Sequence, residues 1–400
     1  MKEGRLKICL IAKYPPIEGG ESSKAYWLAR VLGERGHEIH IITNAWEVET
    51  KYREKIESED LEKDYQPKNV YVWNTDPFIN PRFIPYFTPY TEKLVNKSIE
   101  VIEEYGIDVI DSWYLLPYGI AGFLAKAITG KPLIIRHAGS DIGRLFNSPS
   151  LRTLFIRIFE RTDKIVTYPN TVSFFRSLGI PKEKIFINRK VSVNTEIFTP
   201  EGPRFILEDN VGKKMEEVPV ITYIGKLSRA KGVYELVEAI ARIKEEFLLL
   251  FVTQNKDLKE FQEFVRQKGL KKKTVFLGFL PPWKIPSIIR SSTCVVVPER
   301  DFPIPHHMPI LPREVIACGR CLILSKELYE KYKKLGFEDK ENCIVVNPKD
   351  IPNFRMALEL VIKNEEIRNM IAQNGLTLSK KIENFEEYIK ETLTLYYGVI

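Results

Sequence analysis

Two α/β domains, each a parallel sheet wrapped by helices in the Rossmann-like manner and facing each other, are what this sequence predicts. Three observations carry the prediction. The 400 residues exceed one ordinary domain and require two packed cores. Apolar runs of strand length alternate with stretches of helical period, the pattern of parallel sheets joined by right-handed crossovers. Pro200-Glu201-Gly202-Pro203 interrupts that alternation, because Pro and Gly there break any element. The expected domains are therefore 1–200 and 201–375, with 376–400 forming a C-terminal helix that packs back on the first domain.

Residues 8–12 (Ile-Cys-Leu-Ile-Ala) read as a buried first strand, too short for the apolar region of a signal peptide. Pro15 to Gly20 is a loop, and Ser22 or Ser23 is the expected cap of a helix whose Ala25, Leu28, Ala29 and Leu32 share one face. Gly36 ends that helix, and Ile39, Ile41 and Ile42 begin the next strand. The charged residues 45–68 read as an insertion or mobile loop, followed by a strand at 70–73. Between 77 and 90, Pro77, Pro81, Pro85 and Pro89 alternate with aromatics and exclude a regular helix. Packing of a long loop, the lining of an acceptor groove and a membrane interface all stay open for that stretch. Helix 91–105, strand 107–111, helix 117–128 and strand 132–136 continue the alternation. A second series starts with strand 218–224 and a helix carrying Val233, Leu236, Val237, Ile240 and Ile243. Further strands are expected at 247–252, 274–277, 294–297, 321–324 and 343–346.

At 44% hydrophobic and 28% charged residues, the chain has the composition of a globular protein rather than a disordered or fibrous one. Its net charge of +7 is spread among interspersed acids and bases, and Lys271-Lys272-Lys273 reads as a solvated helix end. Nucleic acid is disfavoured as a partner, since no recognisable module interleaves aromatic and basic residues. The positive balance suits anionic nucleotides and an anionic membrane surface alike, so peripheral contact with a membrane's inner face stays open. No apolar run approaches the length of a membrane span, and a cytoplasmic location is expected. The five cysteines include one Cys318-x-x-Cys321 pair without a second, which disfavours a zinc site and leaves them as small hydrophobes.

Two stretches carry chemistry. Gly225-Lys226-Leu227-Ser228-Arg229-Ala230-Lys231-Gly232 follows a strand and places two lysines around a turn between glycines. Their ammonium groups can hold a diphosphate, and cations aimed at a departing diphosphate favour its transition state. Downstream, Glu314 opens a helix in Pro312-Arg313-Glu314-Val315-Ile316-Ala317-Cys318-Gly319, where its carboxylate can accept hydrogen bonds from ribose hydroxyls. A helix-dipole role alone would also suit it. In the first half, the Gly19-Gly20 loop lets a phosphate approach the backbone.

The order of these stretches resembles GT-B glycosyltransferases of the family-4 type over most of the chain. Gly19-Gly20 is similar to the family's glycine-rich first loop, and His137-Ala138-Gly139-Ser140-Asp141 to its H-G-S-D stretch. Val191 to Pro200 resembles N-G-V-D-x-x-x-F-x-P, with Ser192 and Asn194 in place of Gly and Asp. Gly225-Lys226 with Lys231-Gly232 resembles G-R/K…K-G, and Glu314 to Gly319 resembles E-A-M-A-C-G. The resemblance implies a GT-B fold with a cleft between an acceptor-side and a donor-side domain. It further implies a retaining, hexosyltransferase-like transfer from a nucleotide-diphosphate sugar, with no required cofactor or metal. The acceptor is expected to be a carbohydrate, a lipid-linked group or a small molecule.

The resemblance assigns catalytic roles to Lys226, Lys231, His137 and Glu314, and donor contacts to Gly19, Gly20, Gly225, Gly278, Phe279, Ile310 and Leu311. Asp141 falls on the acceptor side. The family's upstream Glu, eight residues before Glu314, is His306 here, which becomes a candidate donor contact. Glu299 is the alternative acid, if an inserted loop brings it to the same place. That departure keeps two rival readings open: a non-catalytic sugar-nucleotide binder, and a sugar-nucleotide epimerase on the same scaffold.

Overall fold

The computed structural model describes residues 4–48, 59, 61–76, 89–188, 192–206, 218–254, 257–304 and 307–400. The chain divides into two compact units, Met1–Val191 with Glu386–Ile400, and Ser192–Phe385. The segment 77–88, covering most of the proline-aromatic stretch, and His306 lie outside the described residues.

The first unit runs β1 (Lys7–Ile11), α1 (Gly20–Glu34), β2 (Glu38–Thr43), β3 (Val70–Asn74), α2 (Tyr90–Tyr105), β4 (Val109–Trp113) and α3 (Ile120–Thr129). It continues through β5 (Leu133–Arg136), α4 (Pro149–Arg161), β6 (Lys164–Thr167), α5 (Val172–Ser177) and β7 (Ile185–Ile187). The strands form one sheet in the order β3-β2-β1-β4-β5-β6-β7. β1 pairs in parallel with β2 on one side and β4 on the other, so Ile8 to Ile11 are buried on both faces. Gly106 and Gly130 end α2 and α3 in the left-handed conformation, at φ 64° and 73°. Helix α1 begins earlier than its serines suggested. Gly19 is its cap, and Ser22 is buried within the first turn.

The region after β5 was the least legible. α4 mixes three arginines with its buried Phe155, Ile158 and Phe159, and β6 and β7 span only four and three residues. Such short strands give periodicity too little length to register. The described part of the expected insertion is packed: Tyr65 is buried, its carbonyl accepts from Tyr14 Oη at 3.0 Å, and Asp64 O accepts from Tyr26 Oη at 2.8 Å.

The second unit runs β8 (Val220–Ile224), α6 (Val233–Ile240), β9 (Leu248–Val252), α7 (Leu258–Gln267), β10 (Thr274–Leu277), α8 (Ile285–Ser291) and β11 (Cys294–Val297). It continues through α9 (Leu311–Ala317), β12 (Cys321–Ser325), α10 (Lys326–Tyr332), β13 (Ile344–Val346), α11 (Ile351–Lys363) and α12 (Glu365–Ile382). Its order, β10-β9-β8-β11-β12-β13, repeats that of the first six strands of the other sheet. Val233, Leu236, Val237 and Ile240 of α6 pack with β8, β9 and α11 residues in one core. All five cysteines are buried and none forms a disulfide.

The division between units falls upstream of Pro200, because residues after Val191 are held by the second unit. Arg290, buried on α8, donates through Nε to Pro203 O at 2.8 Å and through Nη1 to Ile197 O at 3.2 Å. Glu383 Oε2 accepts from Ser192 Oγ at 2.8 Å and from Val193 N at 2.7 Å. At the other end, α13 (Phe385–Tyr397) joins the first unit, where Tyr396 Oη donates to Asp111 Oδ2 at 2.6 Å. Asp111 is fully buried in β4 and also accepts from Arg136 Nε at 2.9 Å. Removing one partner of such a buried pair costs about 3–5 kcal/mol. No described helix is long and apolar enough to cross a membrane.

Candidate functional site

Open sheets of this order bind ligands beyond the strand C-termini, where the strand order reverses. In the second unit that reversal lies between β8 and β11. β8 runs into Gly225, whose φ of 151° carries the chain past Tyr223, and Tyr223 Oη donates to Lys226 O at 2.7 Å. A short turn at Arg229–Lys231 follows, and then Gly232 at φ 68°. A Cβ at Gly232 would lie 1.8 Å from the carbonyl oxygen of Pro298, so only glycine lets the β8 loop pass the β11 loop this closely.

That close passage brings Lys231 to Glu299. The Lys231 ammonium donates to Glu299 Oε1 and stands 4.5 Å from the centre of the Phe302 ring. The His307 imidazole stacks on Phe302 with centroids 4.1 Å apart. Its Nε2 lies 3.1 Å from Glu299 Oε2 and 3.4 Å from Lys231 Nζ. The Glu299 side chain is only 4% exposed. Burial works against its charge, but the His307 hydrogen bond and the Lys231 charge prevail and hold the carboxyl below its usual range. The loop is anchored from several sides. Arg300 N donates to Ala230 O at 2.9 Å, Arg300 Nε to Glu235 Oε1 at 2.7 Å, and Lys331 Nζ to His307 O at 3.0 Å.

Glu314 is buried in the first turn of α9, which Ile310 caps and Leu311 opens. Its neighbour Arg313 is locked by Nε donating to Glu383 Oε1 at 2.6 Å. Gly278 and the buried Phe279 follow β10, which lies two strands from β8, about 10 Å away. Burial pushes the Cys318 thiol up to about 12, which suits packing rather than reactivity. Among the described residues no three His, Cys, Asp or Glu side chains gather as a metal site.

In the first unit the reversal lies between β1 and β4. Gly19, at φ 122°, and Gly20 have open space where a Cβ would stand. His137 Nε2 is 2.8 Å from Thr167 Oγ1, and Nδ1 is 3.4 Å from Ala138 O. Both ring nitrogens therefore face protein partners. Burial lowers the imidazole pKa to about 4, against the opposing influence of Ala138 O and Glu21, so the ring is neutral near pH 7. Asp141 is fully buried, and its Oδ2 accepts from Ala138 N at 2.8 Å. Desolvation raises its carboxyl to about 7, with Glu21 adding to the shift and backbone hydrogen bonds and Lys13 opposing it.

Sequence reasoning passed over several neighbours of these groups. Phe302 and His307 belong to the Lys231–Glu299 cluster, and the only hint was an acid-aromatic run just after a strand. In the first unit, Tyr114 adopts φ 79°, its hydroxyl is 2.5 Å from Ser140 Oγ, and the Lys13 ammonium lies 4.9 Å from its ring centre. Nothing in a tyrosine's sequence context announces a left-handed backbone.

Known proteins supply the wider frame. The glycosyl transferases group 1 family matches residues 206–377, and Glycosyltransferase Family 4 matches residues 19–187. An uncharacterised glycosyltransferase of Methanocaldococcus jannaschii is 28% identical over 382 residues, covering 94% of each chain. The N-acetyl-alpha-D-glucosaminyl L-malate synthase of Bacillus anthracis is 26% identical over 284 residues, covering 68% of each chain. An Anabaena protein solved in complex with UDP and glucose superposes with a TM-score of 0.69 at 16% identity, over 98% of this chain and 99% of its own. That likeness concerns the fold.

Proposed function

The chain belongs to the group 1 glycosyltransferases of the GT-B fold, and we propose that it transfers a sugar, with retention, from a nucleotide-diphosphate sugar to a hydroxyl acceptor. The observation that carries the reading is the Lys231 ammonium held by buried Glu299 at the strand reversal of the second unit. A cation beside a glycine turn, at the rim where nucleotides dock, is what a departing diphosphate requires.

In this reading Lys231 and Lys226 neutralise the diphosphate, and Gly225 gives it access to backbone amides; in the first unit, the Gly19-Gly20 loop leaves open space for a phosphate group to approach its backbone. Glu314 accepts from the ribose, Ile310 and Leu311 border it, and Gly278 and Phe279 flank the base. Glu299 takes the sugar-contacting place that the family gives to the residue aligned with His306. His137 and Asp141 serve the sugar and acceptor side. The leaving phosphate takes the acceptor proton as the bond to the anomeric carbon breaks. Because the lysines supply the positive charge, no metal is required. The Bacillus anthracis relative, named for a product built on L-malate, supports a small-molecule acceptor among the acceptor classes.

A thermal-shift screen with UDP, GDP and ADP and their glucose conjugates, run in EDTA, tests the donor. One base should raise the melting temperature selectively, because only the folded state binds. Turnover of the matching sugar nucleotide should follow. Stabilisation without turnover of any donor would instead favour a non-catalytic binder.

A further inference from the structure

We propose that His307 is a positioning residue of the donor site: stacked on Phe302, it keeps Glu299 in place and charged when Lys231 turns to the donor diphosphate, leaving that carboxylate to accept hydrogen bonds from the transferred sugar. The proposal rests on the donor reading above. Three observations support it.

The Lys231 ammonium has two competing partners, one present and one to come. In the structure it serves Glu299. A diphosphate carries more charge and would draw the ammonium away. Glu299, 4% exposed, would then be a buried carboxylate without its cation, which is strongly unfavourable when a buried pair is broken. His307 is already poised to prevent that. Its Nε2 lies 3.3 Å from Oε1 and 3.1 Å from Oε2, close enough to serve either oxygen.

The second observation is a spare acceptor. Glu299 Oε2 is buried and has no hydrogen-bond partner of good geometry among the described residues. A buried carboxylate oxygen at the strand reversal, left without a hydrogen-bond partner, suits a hydroxyl donor.

The third is rigidity. The His307 ring lies nearly parallel to Phe302, at 24°, and its carbonyl is tied to Lys331 of α10. Phe302 N lies 3.3 Å from Glu327 Oε1 of the same helix. The imidazole is thus fixed from both sides and would hold Glu299 without moving itself. Lys231 keeps a second contact, the face of Phe302, around which its ammonium can pivot.

The test separates nucleotide from sugar. His307→Phe keeps the stack on Phe302 and removes Nε2, and His307→Gln restores an N–H donor. The probes are UDP and UDP-glucose, with the GDP and ADP pairs in parallel. His307→Phe should raise the KM for the sugar nucleotide about tenfold or more, as expected for losing a hydrogen bond to a charged group. Its Kd for the free nucleoside diphosphate should change by less than about threefold, and His307→Gln should recover most of the lost affinity. Glu299→Gln should bind the free diphosphate at least as tightly as wild type, because Lys231 is released, yet lose affinity for the sugar nucleotide. An unchanged KM in His307→Phe, or equal losses for nucleotide and sugar nucleotide, would overturn the assignment. If Lys231→Ala fails to weaken binding of the free diphosphate, the donor reading itself falls, whatever His307 does.

Discussion

Both sheets reverse their strand order at the same relative place, β1/β4 in one unit and β8/β11 in the other, yet the two rims carry opposite electrostatics. At β8/β11 an ammonium, a carboxylate held below its usual range and an imidazole form an ionic cluster. Beside β1/β4, after β5, burial drives two titratable groups toward neutrality, with His137 lowered to about 4 and Asp141 raised to about 7. The scaffold does not decide the chemistry of its crevice. Opposite charges within contact distance offset desolvation in one unit, and desolvation acts with less opposition in the other.

Removing the ionic rim should have the largest effect. Lys226→Ala and Lys231→Ala should each lower transfer about 10²–10³-fold in steady-state assays. Lys231→Ala should also lower the melting temperature, because it strips a cation from buried Glu299. The double variant Lys231→Ala with Glu299→Gln should recover that stability without recovering transfer, a coupling that a double-mutant cycle reads directly. Near-wild-type activity in both single variants would remove the donor site from this rim.

The neutral rim has a pH signature. The folded-state pKa of Asp141, about 7, lies above its value of about 3.9 in an unfolded chain, so folding favours the protonated form. That contribution is complete below the unfolded pKa and is lost as pH rises through about 7. Denaturant titrations should therefore show Asp141→Asn gaining on wild type between pH 5 and pH 8, by a few kcal/mol at most. A difference independent of pH would mean that Asp141 is ionised throughout.

The glycines give the smallest and sharpest contrast. Gly232→Ala places a methyl 1.8 Å from the Pro298 carbonyl oxygen at a positive φ, so it should destabilise the second unit by about 1–3 kcal/mol or more. Gly20→Ala meets open space and should leave melting nearly unchanged. If Gly20→Ala nonetheless weakens donor binding, the space above it belongs to the ligand.

Much of this architecture was legible residue by residue. The strands at 274–277 and 294–297 stand as their apolar runs predicted, and Ala25, Leu28, Ala29 and Leu32 form the buried face of α1. Lys231 could be singled out because glycine and strand neighbours frame it. Glu299 was legible as the alternative acid, but its pairing with Lys231 was not. The two lie 68 residues apart in sequence, and an eight-residue offset pointed to His306, whereas a described imidazole beside Glu299 is that of His307.

Periodicity and glycine placement act over a few residues, so the sequence by itself determined the strand and helix alternation, the doubled α/β architecture and the turns around Lys226 and Lys231. The contacts that give those turns their chemistry span the reversal of a sheet. Glu299 meets Lys231 because β11 lies beside β8, and Gly232 permits the loops after those strands to touch. Likewise α13 joins the first unit because Tyr396 reaches a carboxylate 285 positions earlier. Only the tertiary structure decided these pairings, because strand order and loop passage depend on how separated segments pack rather than on any local pattern.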